Sequence, residues 1–241
     1  MAGLDARTEQ EVARFGAHVQ EALGPQLVCL ALYGSAAGGD WVPGRSDVNV
    51  ALVATAVSLD VLDALAPVVA GRPAVLALPL VVDPEYLERA RDTFPMELAD
   101  LAREHRVLAG RDVLANIQVD PAALRRECEQ DARGKLLRLR ALYLETAGKP
   151  AALERVMVES LKSFLIILRH LLSLRDGQRV SGYEDVLRAG EAVVGPLAVM
   201  RKLFHHRTGR AAIPARELRA EFGRYLDEVE RIVARLDRLD G

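Results

Sequence analysis

An α+β fold is predicted: a mixed sheet with helices in the first half, followed by an all-α helical bundle. Two observations carry this. Up to about residue 118, apolar runs of strand length alternate with amphipathic helical stretches. Beyond residue 119 the apolar residues recur every three or four positions, and no strand-like run returns. The break predicts two domains, 1–118 and 119–241, and the chain is long enough for both to hold a core.

Residues 4–23 read as an amphipathic helix with Val12, Phe15, Val19 and Leu23 at helical spacing, stopped by Gly24-Pro25. Residues 27–33, LVCLALY, are apolar enough to be a buried strand, and Gly34-Ser35 ends it abruptly. After a spacer, Asp47-Val48-Asn49-Val50 opens the next strand. Side chains alternate along a strand, so Asp47 and Asn49 are expected on one face, with Val48 and Val50 in the core. Two polar groups beside a Gly-Ser turn suggest a place for a metal and a phosphate.

Ser58 is the expected N-cap of a helix over 59–70, which Gly71-Arg72-Pro73 breaks. Residues 74–82 form a continuous apolar run, a strand that Pro79 confines to an edge or a bulge. Asp83-Pro84 starts a short helix to residue 91. Residues 94–101 are expected as a further strand carrying Glu97, although Glu97, Asp100 and Leu101 also suit a helix. Residues 107–110 read as a short strand and turn.

In the second half, Asp120-Pro121 opens a helix to residue 145 with Leu124, Cys128, Leu136, Leu139 and Tyr143 on one face. Gly148-Lys149-Pro150 separates it from a helix over 151–174. That helix is apolar all round at residues 164–168, so it is expected at the centre of the bundle. Shorter helices are expected from Ser181 or Gly182 to about residue 190 and over 197–206, and a last one over 215–239. Arg126, Arg133 and Arg140 lie seven apart and form one stripe, either a phosphate-binding wall or a solvated face paired with Glu127, Glu129 and Asp131. Arg201 and His206 match a loose ribonuclease-like spacing, for which a surface His205-His206 pair near a helix end is the plainer account.

Half of the residues are hydrophobic and the formal net charge is −2, so no broadly basic nucleic-acid-binding surface is expected. Cys29 and Cys128 sit in apolar contexts without a CxxC spacing and read as reduced core residues. No stretch is long and apolar enough to span a membrane, and a cytoplasmic location is expected.

The apolar strand, Gly34-Ser35, the spacer and Asp47-Val48-Asn49 resemble the signature of the polymerase-β-type nucleotidyltransferase superfamily, in which Asp-x-Asp or Asp-x-Glu follows the Gly-Ser strand. Asn49 departs from the pattern at the second acid, and Glu97 is the best match for the third. The two-domain layout is similar to that of the kanamycin-type antibiotic nucleotidyltransferases. The resemblance implies Gly34 and Ser35 at the triphosphate, Asp47 and Glu97 as catalytic acids, and Asp47, Asn49 and Glu97 at Mg²⁺ or Mn²⁺. It implies a nucleoside triphosphate as substrate and transfer of its nucleoside monophosphate to an acceptor hydroxyl on a small molecule or a protein. A homodimer is compatible with it. The uncharged Asn49 keeps two alternatives open, a catalytically impaired nucleotide-binding or regulatory module and a toxin–antitoxin-like component.

Overall fold

In the computed structural model, which describes residues 3–239, the chain divides into two compact units, Met1–Asp120 and Pro121–Gly241. The first begins with α1 (Ala6–Leu23), whose N-cap Asp5 accepts the Thr8 amide at 2.7 Å. Four strands follow, β1 (Leu27–Tyr33), β2 (Asn49–Ala54), β3 (Leu80–Val82) and β4 (His105–Gly110), in the spatial order β3-β2-β1-β4. The central β1 is antiparallel to both β2 and β4, while β3 runs parallel to β2. Between the strands lie α2 (Ser35–Gly38), α3 (Leu59–Ala70), α4 (Pro84–Arg89) and α5 (Pro95–Arg103).

Strand alternation sorts the sheet residues into two cores. Leu30, Leu32, Val50 and Leu52 pack with Val12, Phe15 and Val19 of α1 and with Val61 and Leu65 of α3. Cys29, Ala31, Ala51 and Val53 face the other way, against Leu87 of α4 and Leu98 and Leu101 of α5. This sandwiching explains why β1 is apolar on both sides.

Three elements differ from the sequence-based expectation. Residues 94–101 are not a strand: Pro95 occupies the first turn of α5, and Leu98 and Leu101, three apart, bury one helical face. The strand expected over 74–82 contracts to Leu80–Val82 and an isolated bridge between Val48 and Leu76. Pro79 has no amide hydrogen to give a ladder, so pairing lapses around it. Asp47 precedes β2, which begins at Asn49.

The second unit is helical throughout its described residues: α6 (Pro121–Thr146), α7 (Pro150–Asp176), α8 (Tyr183–Val194), α9 (Ala198–Arg207) and α10 (Leu218–Asp237). A 3₁₀ turn at Ala215–Glu217 precedes α10, which therefore starts three residues later than its periodicity suggests. Helix α7 packs against the other four and buries an almost unbroken run from Leu161 to Leu172. Helix α8 approaches it closely because residue 190 is glycine; a Cβ there would lie 2.6 Å from Leu168 Cδ2. Helix ends inside the bundle are capped by distant side chains. Glu228 of α10 accepts the Val199 and Met200 amides of α9, each at 2.9 Å, and Arg231 donates to the carbonyls of Val194 and Pro196 at the end of α8.

Candidate functional site

The turn after β1 is built on a glycine conformation. Gly34 has φ +69°, where an L side chain is strained, and a Cβ on it would stand 3.4 Å from Asn49 Nδ2. The turn is held by Glu104, the residue between α5 and β4. The Gly34 amide donates to the Glu104 carbonyl at 3.2 Å, and the Ala37 and Gly38 amides return to the Gly34 carbonyl at 3.0 and 2.9 Å. Glu104 itself is buried, and its carboxylate fills the space beside Gly38, where a Cβ would come within 2.9 Å of Cδ. Ser35 is 6% exposed and its hydroxyl has no hydrogen-bond partner among the described residues. A buried hydroxyl with an unmet donor and acceptor costs on the order of 1–3 kcal/mol, which a ligand can recover.

The three residues implied for metal occupy different settings. Asn49 begins β2, paired with Tyr33, its amide over Gly34. Asp47 is exposed and lines a cleft of about 690 Å³ together with Asp5, Arg14, Trp41 and Arg45. Trp41 anchors this loop by donating its indole N–H to the Ser46 carbonyl at 2.8 Å while its ring sits in the core. Glu97, in the first turn of α5, accepts the Tyr33 hydroxyl at 3.4 Å. Burial, the Glu97 charge and this hydrogen bond push the Tyr33 phenol up to about 12. Because a raised phenol favours the folded state only while protonated, its contribution is complete below pH 10 and is lost as pH rises through 12. Glu97→Gln is expected to lower the Tyr33 midpoint in an ultraviolet titration while leaving it above 10, since burial is the largest cause. An unchanged midpoint would show that Glu97 does not act on the phenol.

The strand beside Asn49 adds no acid. Between the Val48–Leu76 bridge and the Ala51–Leu80 pair, the residues opposite Asn49 and Val50 are Ala77, Leu78 and Pro79, and Leu78 is 70% exposed.

Compared with solved structures, the chain is similar to spectinomycin adenyltransferase AAD(9) from Enterococcus faecialis, solved with ATP and spectinomycin. The match has a TM-score of 0.54 at 13% sequence identity and covers 92% of this chain and 99% of that one. The chain has a nucleotidyltransferase-like fold. No family model and no curated protein matches it.

The nucleotidyltransferase-like fold implies divalent cations, and the residues here fit a cation pair poorly. Among the described residues, no three His, Cys, Asp or Glu side chains are gathered so as to hold a metal ion. Hard divalent cations favour clustered carboxylates, whereas Asn49 is neutral and Glu97 is engaged with Tyr33. The turn fits better, because it offers an unmet buried hydroxyl beside a glycine backbone. Glu104 and Tyr33 escaped the sequence reading. No spacing marks them, and Glu104 reaches the turn only because residues 95–103 are helical.

In the bundle, the arginine stripe is largely neutralised. Arg133 pairs with Glu129 and Asp237, and Arg140 with Glu230 of α10. Arg201 bridges Glu184 and Glu191, His205 meets Glu184, and His206 meets Glu154 at 2.7 Å. Arg201 and His206 thus contact different carboxylates of the bundle.

Proposed function

We propose that the chain binds a nucleoside triphosphate at the Gly34–Ser35 turn and transfers its nucleoside monophosphate to an acceptor hydroxyl only weakly. The buried, unpartnered Ser35 hydroxyl carries this proposal. It stands where a phosphate oxygen could accept its proton, beside a glycine that leaves the backbone accessible. AAD(9) was solved with ATP and spectinomycin, which supports a nucleoside triphosphate and a small-molecule acceptor as the pair of substrates.

Weak transfer follows from the charge at the site. The chemistry needs negative charge neutralised on both the attacking and the leaving oxygen. Asn49 and the strand opposite it supply no carboxylate to hold cations there. Asp47 and Glu97 are the acids that remain for Mg²⁺ or Mn²⁺, with the Asn49 amide oxygen as a neutral donor. Such a protein would retain nucleotide affinity and lose most of its rate.

Thermal stabilisation by each of the four common nucleoside triphosphates, with and without Mg²⁺, tests this. A ligand at 100 times its Kd adds about 2.7 kcal/mol to stability. Wild type is expected to be stabilised by at least one triphosphate, and Ser35→Ala to lose most of that gain. Asp47→Ala should remove its Mg²⁺-dependent part. Asn49→Asp should raise pyrophosphate release. Stabilisation by no nucleotide at all would reject the site.

A further inference from the structure

The net charge of −2 conceals a division between the halves. Residues 1–120 hold 9 Lys and Arg against 17 Asp and Glu, whereas residues 121–241 hold 23 against 17. Much of the positive excess in the bundle is tied up in ion pairs. Two arginines that are not tied up in this way line one cleft.

A cleft of about 380 Å³ lies between α6 and α7. Lys135 and Arg138 of α6 and Arg155 of α7 stand on its walls, with Glu159 as its one carboxylate. Lys135 pairs with Asp131 at 2.5 Å. Arg138 and Arg155 pair with no carboxylate among the described residues. The contrast with their surroundings is informative. Arg155 stands four residues before Glu159, a spacing at which Lys135 and Arg133 of α6 each close a pair with an acid one turn earlier. Arg155 and Glu159 leave that pair unmade.

The inner part of the cleft is of a different kind. Leu139, Val156 and Phe164 are buried along it. The Ser160 hydroxyl there is already bonded to the Tyr225 hydroxyl at 2.9 Å and to the Met157 carbonyl, while the Ser163 hydroxyl has no such partner among the described residues. Apolar walls with a few polar groups at the mouth, in a volume of a few hundred Å³, are the ordinary make-up of a small-ligand pocket. Two guanidinium groups with no internal partner favour an oxyanion that accepts several N–H bonds at once, which a phosphate does better than a carboxylate.

We propose that the α6–α7 cleft is a binding site for a small organic phosphate, with its apolar body against Leu139, Val156 and Phe164 and its phosphate held by Arg138 and Arg155. All the residues that line this cleft belong to the helical unit.

Isothermal titration of the full chain with naphthyl phosphate, and with naphthol as its neutral counterpart, tests the proposal. Wild type should bind naphthyl phosphate saturably, and more weakly as salt is raised. The Arg138→Ala/Arg155→Ala double variant should lose about tenfold or more in affinity. Its free-state melting should match wild type, because no internal ion pair is removed. Glu159→Gln should bind more tightly, through loss of a repelling charge. Ser35→Ala should bind as wild type does, which separates this site from the nucleotide turn. No saturable binding by wild type, equal binding by the double variant, or naphthol binding as tightly as its phosphate would each overturn it.

Discussion

Gly110→Ala is expected to destabilise the first unit by on the order of 3 kcal/mol or more. Gly110 closes β4 at φ +80°, and a Cβ there would run into the Val28 carbonyl, within 2.8 Å of its carbon. That carbonyl cannot swing aside without cost, because it accepts the Arg111 amide at 2.9 Å. The substitution therefore adds backbone strain to a backbone collision, and neither is relieved by a rotamer change. Trp41, the one tryptophan of the chain, is buried in the core of this unit, so its fluorescence in a urea titration reports the loss directly. A midpoint equal to that of wild type would mean that β4 does not close as described.

The second large effect belongs to the bundle. Glu228→Ala is expected to cost about 3 kcal/mol, because the Val199 and Met200 amides lose their shared acceptor in a place water does not reach. Far-UV circular dichroism during thermal unfolding measures it. A melting curve superposable on wild type would show that α9 needs no cap from α10. The charge of Glu228 has its own signature. Burial raises its pKa, against the two amide bonds and Arg231, which lower it, and Glu221 adds to the rise. The folded state thus holds the proton above the ordinary value of 4.5, so the contribution of Glu228 is full below that pH and declines as pH rises through the raised value. Glu228→Gln has no such titration. Its stability deficit relative to wild type should be largest in acid and shrink toward neutral pH.

Much of this fold was legible because local patterns agreed with the tertiary arrangement. Residues 27–33 read as a buried strand, and α1, α4 and α5 cover the sheet on its two sides. Helix α7 read as central because it is apolar all round at residues 164–168, and its burial matches. Misreadings arose where two periods fit the same residues. Phe94-Pro95-Met96-Glu97-Leu98 satisfies a strand by composition, but proline at a first turn and the Leu98–Leu101 spacing satisfy a helix, and the core beneath selects the helix. The candidate site was legible in part. Gly34 and Ser35 stand out because glycine followed by a small hydroxyl residue ends a strand in a recognisable way. Glu104 and the α6–α7 cleft were illegible, since each joins residues whose separation in sequence carries no period. Charge pairing across helices is equally silent: nothing local ties Arg140 to Glu230.

Pro79 has a consequence beyond shortening β3. An edge strand displays unpaired amides and carbonyls that can recruit the edge of another molecule, and long flat edges are templates for aggregation. Here the β3 edge offers only three residues, Leu80–Val82. Immediately before them stands a residue with no amide hydrogen, next to the bare Leu78 side chain. A second chain approaching this edge would find its ladder interrupted after three residues. The irregularity at Pro79 therefore makes the β3 edge self-limiting, and it is a poor place at which to substitute a residue that could donate a hydrogen bond.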